Sequence, residues 1–152
     1  MEFTANSRTN ANAAESGGTA SPNGERLRIL AIDDSTDFLT ILKDLLEPQG
    51  FEVRTYTNPV KALEMFQREK DRYQLVLLDY YMPQLDGAKT FEWLRKLNPN
   101  VKVVVCSGAE ELRLRQMQVQ HPIDGYIHKP FRLQEALAVI KRIIGHQAAA
   151  VA

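Results

Sequence analysis

Two kinds of apolar pattern alternate along most of the chain. Short runs rich in branched apolar residues, typical of strands, begin near residues 27, 51, 75, 101 and 126. Each run is followed by a stretch with apolar residues three or four positions apart, the spacing of an amphipathic helix. The pattern therefore predicts five strand–helix pairs over residues 27–144.

The predicted strands are short enough for a buried sheet: Leu27–Ile32, Phe51–Tyr56, Leu75–Leu78, Val101–Cys106 and Tyr126–His128. Asn58 followed by Pro59 is a typical helix start, with a capping side chain and a proline at the first helical position. The segment Glu110–Gln120 fits neither period, so its position alone predicts a helix. Strands that alternate with helices indicate a parallel sheet with helices on both faces.

The first 26 residues differ in composition from the rest. They contain no Leu, Ile or Val and are rich in Ala, Asn, Ser, Thr and Gly. Such a segment buries too little apolar surface to offset its ordering entropy. We expect a disordered tail over residues 1–26, a single folded domain over 27–145 and a short tail over 146–152. The first tail is either a solvated leader or a targeting or docking segment.

Composition and charge narrow the classes of function. The 19 basic and 19 acidic residues balance, which argues against binding of nucleic acid or anionic lipid by bulk charge. The single Cys106 excludes an internal disulfide and a cysteine-based zinc site, and it suits a reducing compartment. No apolar run approaches the length of a membrane span, so we expect no membrane insertion.

Reactive side chains follow four of the predicted strands. Asp33 and Asp34 follow the first strand, Asp79 the third, Ser107 the fourth and Lys129 the fifth. In doubly wound sheets, sites lie beyond the carboxyl ends of the strands, so these side chains should meet at one edge. A single aspartate there is usually a helix cap, but three together repel one another unless a cation joins them.

Mg²⁺ suits such a cluster because it prefers carboxylates, water and often a phosphate group as ligands. One divalent cation and Lys129 together balance the three negative charges. The neutralised site can accept a phosphoryl group, and a nucleophilic Asp79 would then form an acyl phosphate. Transfer would depend on positioning and on charge stabilisation by the metal and the lysine.

From Leu27 to about Gly145 the sequence resembles the receiver domain of bacterial two-component response regulators. The resemblance rests on four fragments in order: Ile32-Asp33-Asp34-Ser35, Leu77-Leu78-Asp79-Tyr80-Tyr81-Met82-Pro83-Gln84-Leu85-Asp86-Gly87, Cys106-Ser107-Gly108-Ala109 and His128-Lys129-Pro130-Phe131. It implies an α/β (βα)5 fold of flavodoxin-like topology, doubly wound, with five parallel strands in the order 2-1-3-4-5.

The resemblance also implies a metal site and a phosphoacceptor. Asp79 would accept the phosphoryl group. Mg²⁺ (or Mn²⁺) would be bound by Asp34, by Asp33 directly or through water, by Asp79, and by the main-chain carbonyl of Tyr81. The Tyr81 ring either overhangs the pocket, where it would hinder an attacking water, or packs sideways without a role. The resemblance implies no other cofactor.

Further residues match the family's signalling positions. Lys129 would pair with Asp79 and then with the phosphoryl oxygens, and the Lys129–Pro130 peptide bond would be cis. Ser107 would bond a phosphoryl oxygen after transfer and draw its loop inward. Tyr126 matches the family's switch aromatic, whose ring is expected to move inward when Ser107 moves.

The function implied is that of a single-domain, cytoplasmic regulator of the chemotaxis or phosphorelay type, and not of an enzyme. A histidine kinase or histidine phosphotransfer protein would supply the phosphoryl group, and an unknown downstream protein would be the target. Only residues 145–152 follow Ile144, so we expect no DNA-binding module and no direct contact with nucleic acid. The alternatives are a phosphorylation-independent adaptor or an aspartyl-nucleophile phosphohydrolase. The latter usually has a second Asp where this chain has Tyr81.

Overall fold

Strands and helices alternate throughout the computed structural model, which describes residues 23–82, 85–108 and 111–151. The strands are β1 Arg28–Ile32, β2 Glu52–Tyr56, β3 Leu75–Leu78, β4 Lys102–Ser107 and β5 Gly125–His128. The α-helices are α1 Thr36–Leu46, α2 Pro59–Glu69, α3 Gly87–Leu97, α4 Glu111–Gln120 and α5 Leu133–Val151. One-turn 3₁₀ helices follow α1 at Glu47–Gln49 and α2 at Lys70–Arg72.

All five strand–helix pairs predicted from the sequence are present, and no strand end differs from its predicted position by more than one residue. Helix α5 continues to Val151, so its backbone includes residues that the sequence analysis assigned to a short C-terminal tail. The predicted N-terminal tail lies outside the described residues up to position 22. Within the described part of the chain, no helix is both long and apolar enough to cross a membrane.

The sheet is parallel, with the strand order β2-β1-β3-β4-β5. This is the predicted doubly wound order, in which β1 and β3 are neighbours at the centre. Ile32 at the end of β1 pairs with both Tyr56 and Leu78, and Ser107 at the end of β4 pairs with His128. This register brings the carboxyl ends of the strands to one common edge.

The core lies on both faces of the sheet. Ile29 and Ala31 of β1 pack in the cluster that includes the buried residues of α1 and α5, whereas Leu30 and Ile32 pack with α2 and α3. Each fully buried large side chain stabilises the fold by about 1.5–3 kcal/mol. Because both faces are covered, strands such as β3 are apolar at every position, as the sequence pattern indicated.

Capping side chains set where three helices begin. The Ser35 hydroxyl accepts a hydrogen bond from the Phe38 N–H, 3.2 Å away, at the start of α1. Asn58 caps α2 as predicted, by accepting from two backbone N–H groups, and Pro59 is the first helical residue. The Asp86 carboxylate accepts from the Lys89 N–H at 2.8 Å and starts α3.

Gly87 is required because the chain returns close to Tyr80 before α3. Its N–H donates to the Tyr80 carbonyl at 2.9 Å, and a Cβ at position 87 would lie 2.3 Å from the Tyr80 Cα. That distance is shorter than any side-chain contact, and the neighbour is main chain, which cannot rotate away. The glycine therefore sets the path of the chain immediately after Asp79.

We expect Gly87→Ala to lower the free energy of unfolding by about 1–3 kcal/mol, the usual result of overpacking. Gly145→Ala is the matched control, since a Cβ there meets no atom within 4 Å. In a helix, that exchange should leave stability unchanged or raise it by up to about 1 kcal/mol. Urea unfolding followed by circular dichroism measures both variants. Equal stability of the two would contradict the close approach at Gly87.

Candidate acidic site at the carboxyl edge of the sheet

Backbone hydrogen bonds continue the sheet for one residue beyond the strands and so fix the site residues. The Asp33 N–H donates to the Tyr56 carbonyl at 3.2 Å, and the Asp79 N–H to the Ile32 carbonyl at 2.9 Å. The Lys129 N–H donates to the Ser107 carbonyl at 2.9 Å. The main chain at these positions is therefore held by the same kind of hydrogen bond as the sheet itself.

Three carboxylates meet at this edge. Asp33, Asp34 and Asp79 can each offer an oxygen such that all three oxygens lie within 4.8 Å of one another. Asp33 and Asp79 are buried, with exposed fractions of 2% and 8%, whereas Asp34 is exposed. The cluster is thus closed from below by the core and open to solvent on the side of Asp34.

Burial and a neighbouring carboxylate both disfavour the ionised form of Asp79. Burial and, next, the neighbouring Asp33 carboxylate raise the pKa of Asp79 from 3.8 to about 6, while Lys129 opposes the shift. The Tyr81 N–H donates to Asp79 Oδ1 at 3.2 Å and favours the ionised form. A divalent cation would relieve this repulsion, and carboxylate oxygens are the ligands that Mg²⁺ prefers. The donor set of the three aspartates therefore fits the metal that the sequence predicted.

Both oxygens of Asp33 are engaged. Oδ1 accepts from the Ser35 N–H at 2.9 Å, and Oδ2 accepts from the Lys129 ammonium at 2.5 Å. Lys129 donates to Asp33, and its charge also lowers the pKa of Asp79. The expectation that Lys129 pairs with Asp79 stays a prediction. Asp33 is the more deeply buried carboxylate, and a buried charge without a countercharge is costly, so the ammonium stabilises it more.

Lys129 has a second neighbour that the sequence did not indicate. Its Nζ lies 3.9 Å from the centroid of the Phe38 ring. In the sequence, Phe38, Leu42 and Leu45 are spaced as one apolar face of a helix, and Phe38 does pack against the core as a partly buried residue. Periodicity predicts which side of a helix is buried, but not where the face of a ring points.

Ser107 and Tyr126 are joined through the main chain. Ser107 is buried, and its carbonyl accepts both the Lys129 N–H and the Tyr126 hydroxyl, the latter at 2.6 Å. The Tyr126 ring also contacts the ring of His128, with centroids 6.1 Å apart. The two residues that the family resemblance marked as a switch are thus in direct contact, by a hydrogen bond that sequence spacing could not reveal.

Other predicted features of the site have plain outcomes. The Lys129–Pro130 peptide bond is cis, as expected. The Tyr81 ring is 47% exposed and packs edge-to-face on Tyr80, with centroids 5.4 Å apart. Cys106 is buried, and burial raises the pKa of its thiol to about 12, so it remains an unreactive thiol. Pro83 lies outside the described residues.

This chain is similar in sequence and in fold to known proteins. The family model of the response regulator receiver domain matches residues 29–141. The transcriptional regulatory protein CpxR homolog of Haemophilus influenzae is 36% identical over 121 residues, which are 80% of this chain and 52% of that protein. Response regulator MprA of Mycobacterium leprae is 33% identical over 118 residues, or 78% of this chain and 51% of the relative.

The chain therefore spans about half the length of these two relatives. Among solved structures, a CheY-like receiver domain protein from Methanospirillum hungatei is 29% identical with a TM-score of 0.75, and the match covers 82% of this chain and 98% of that one. The family match extends from β1 into α5 and so includes every strand of the sheet. This chain belongs to the receiver domain family of two-component response regulators.

Proposed function

We propose that this chain accepts a phosphoryl group on Asp79 from a phosphohistidine of a histidine kinase or a histidine phosphotransfer protein. The observation that carries the proposal is the meeting of Asp79 with Asp33, Asp34 and Lys129 at one sheet edge. Membership of the receiver family supports the same chemistry. Receivers of this family are signalling domains.

Asp33, Asp34, Asp79 and the main-chain carbonyl of Tyr81 would hold Mg²⁺ or Mn²⁺. The metal, when bound, supplies positive charge to the oxygens of the group being transferred. Because Lys129 and the Ser35 N–H already occupy the oxygens of Asp33, a cation at this carboxylate competes with the ammonium. Metal binding would thereby free Lys129 for the phosphoryl oxygens.

The transfer step uses the side chains already at the edge. An Asp79 oxygen attacks phosphorus and forms an O–P bond, while the bond from phosphorus to the donor histidine nitrogen breaks and its electron pair returns to that nitrogen. Lys129 then pairs with one phosphoryl oxygen, and the Ser107 hydroxyl bonds another. The carboxylate needs no separate base, since Asp79 attacks in its ionised form.

The output would pass through the shared carbonyl of Ser107. When Ser107 moves toward the phosphoryl group, its carbonyl moves with it and changes the hydrogen bond from Tyr126. Tyr126 lies on β5, between α4 and α5 in the chain, so this movement alters the surface formed by those elements. A downstream protein partner that prefers the altered surface would read the phosphorylated state.

Two other functions are less well supported. A docking-only adaptor needs none of the site chemistry, yet the three aspartates, Lys129 and Ser107 are all in place. A phosphohydrolase of the aspartyl-nucleophile kind needs a second acid where this chain has Tyr81. The expectations of a stand-alone regulator and of a cytoplasmic location stay predictions within this proposal.

Incubation with a small acyl phosphate and Mg²⁺ should add one phosphoryl group to the wild-type chain, as measured by intact mass. Asp79→Asn should abolish the gain, because an amide cannot act as the nucleophile. Asp44→Asn, an exposed position on α1, is the matched control and should keep it. Persistence of the added mass in Asp79→Asn would point to another acceptor.

Removal of Asp79 should also stabilise the metal-free protein at neutral pH. Folding raises the pKa of Asp79 to about 6, so the folded chain holds the proton more tightly than the unfolded chain. That contribution to stability is complete below the unfolded pKa of about 3.8 and is lost as the pH rises through 6. Asp79→Asn should therefore gain about 1–2 kcal/mol at pH ~7.5, after allowance for solvent screening.

At pH ~4 most of the gain should be lost, since the carboxyl group is then neutral in the folded chain and only partly ionised in the unfolded chain. Urea unfolding in the presence of a chelator at the two pH values measures the difference. An equal gain at both pH values would mean that the charge of Asp79 does not destabilise the metal-free fold.

Lys129→Met should tighten Mg²⁺ binding by roughly threefold to tenfold, because the ammonium no longer occupies Asp33. Lys96→Met removes the same charge from an exposed position in the last turn of α3 and serves as the control. Isothermal titration calorimetry gives both dissociation constants. Weaker binding, or an equal change in the two variants, would rule out competition at Asp33.

A further inference from the structure

The face of the Phe38 ring lies against the ammonium of Lys129. The proposed phosphoryl transfer gives this contact no role. The distance of 3.9 Å from Nζ to the ring centroid is well inside the range of a cation–π interaction. The Lys129 side chain is 24% exposed, so the ammonium is partly removed from water. Partial desolvation strengthens such a contact.

The ring is held in place by groups other than Lys129. The backbone N–H of Phe38 donates to the Ser35 hydroxyl at 3.2 Å, in the first turn of α1. On another side the ring packs edge-to-face against Phe131, with centroids 5.8 Å apart and planes at 89°. The ring face that contacts the ammonium is therefore oriented by contacts that do not involve the lysine.

At the edge of the site, four residues contact one another in a ring: Asp33, Ser35, Phe38 and Lys129. Asp33 accepts from the Ser35 N–H through one oxygen and from Lys129 through the other. Ser35 holds the Phe38 N–H, and the Phe38 ring contacts Lys129. Asp33 and Phe38 both contact the ammonium.

We propose that Phe38 is a positioning residue that keeps the Lys129 ammonium beside the acidic site when Asp33 is taken up by a metal ion. The proposal rests on the function proposed above, in which Lys129 must reach the phosphoryl oxygens. Without the ring, an ammonium displaced from Asp33 is free to extend into solvent. With it, the lysine stays over a fixed apolar surface next to its destination.

A simpler role for Phe38 is to fill space at the edge of the core, against which Leu133 and Leu137 also pack. The two roles depend differently on the electron density at the face of the ring. A space-filling residue depends on volume, whereas a cation–π contact weakens as fluorine withdraws electron density from the ring face. Graded fluorination of Phe38 separates them with little change of shape.

The contact itself is tested by NMR of the unphosphorylated protein. The side-chain methylene protons of Lys129 nearest Nζ, assigned with Lys129→Met, should be shifted upfield by the ring current of Phe38. Phe38→Leu should remove that shift, whereas Leu137→Val, a matched loss of packing on the same core, should keep it. Thermal melts verify that both variants fold. A lysine signal at its ordinary position in the wild type would overturn the proposal.

The positioning role is tested by rate. Mono-, di- and trifluorophenylalanine are placed at position 38, and phosphorylation by a small acyl phosphate is followed at saturating Mg²⁺. A small donor excludes contacts that a protein donor makes with α1. We expect a stepwise fall to a total of about threefold to tenfold, and a similar loss in Phe38→Leu. The same series at Phe66, in the core on the opposite face, should change nothing.

Unchanged rates across the Phe38 series would overturn the positioning role, even if the ring-current shift is present. Failure of the proposed function looks different, since the wild-type chain itself would then take up no phosphoryl group. In that case the effect of Mg²⁺ on the Lys129 signal decides. Retention of the upfield shift on metal binding supports Phe38 as the holding position, and its loss contradicts it.

Discussion

Repulsion among the carboxylates of Asp33, Asp34 and Asp79 is the constraint from which the site's other contacts follow. The parallel sheet forces the three side chains to one edge, and the covered faces of the sheet bury two of them. Burial, and next the repulsion by Asp33, raise the pKa of Asp79 to about 6. Lys129 relieves part of the repulsion by pairing with Asp33. The negative charge that remains can be balanced by one divalent cation.

Under the proposed function, the same contacts would link metal binding, phosphoryl transfer and output. Asp33 would be shared between Lys129 and the metal, so metal binding at this carboxylate would release the lysine. The backbone N–H of Lys129 donates to the Ser107 carbonyl, which also accepts the Tyr126 hydroxyl. A change at the acidic cluster would thus reach β4 and β5 through groups in direct contact.

Hydrophobic periodicity predicted the strands and helices and their order along the chain, and parallel topology predicted the edge at which the site lies. The order of the strands in the sheet came from the family resemblance. The charge balance of the edge and the family resemblance both indicated Asp79 as acceptor, whereas the resemblance alone indicated Tyr126 as switch, and both assignments stay predictions. Sequence did not predict that Lys129 pairs with Asp33 or contacts Phe38. A long flexible side chain chooses among partners that differ by about 1 kcal/mol, and that choice depends on three-dimensional burial. Asp86-Gly87 is a typical turn pair in the sequence, but the close approach of Gly87 to Tyr80 could not be predicted from it.

The most direct test of carboxylate repulsion as the organising constraint is the NMR titration of the Asp79 side-chain carbon, with and without Mg²⁺. We expect a midpoint near pH 6 in the metal-free protein, where burial and Asp33 disfavour the charge. Saturating Mg²⁺ should move the midpoint well below that value, since a bound cation favours the ionised form. A midpoint at the ordinary value of 3.8, unchanged by Mg²⁺, would contradict the repulsion and the metal site together.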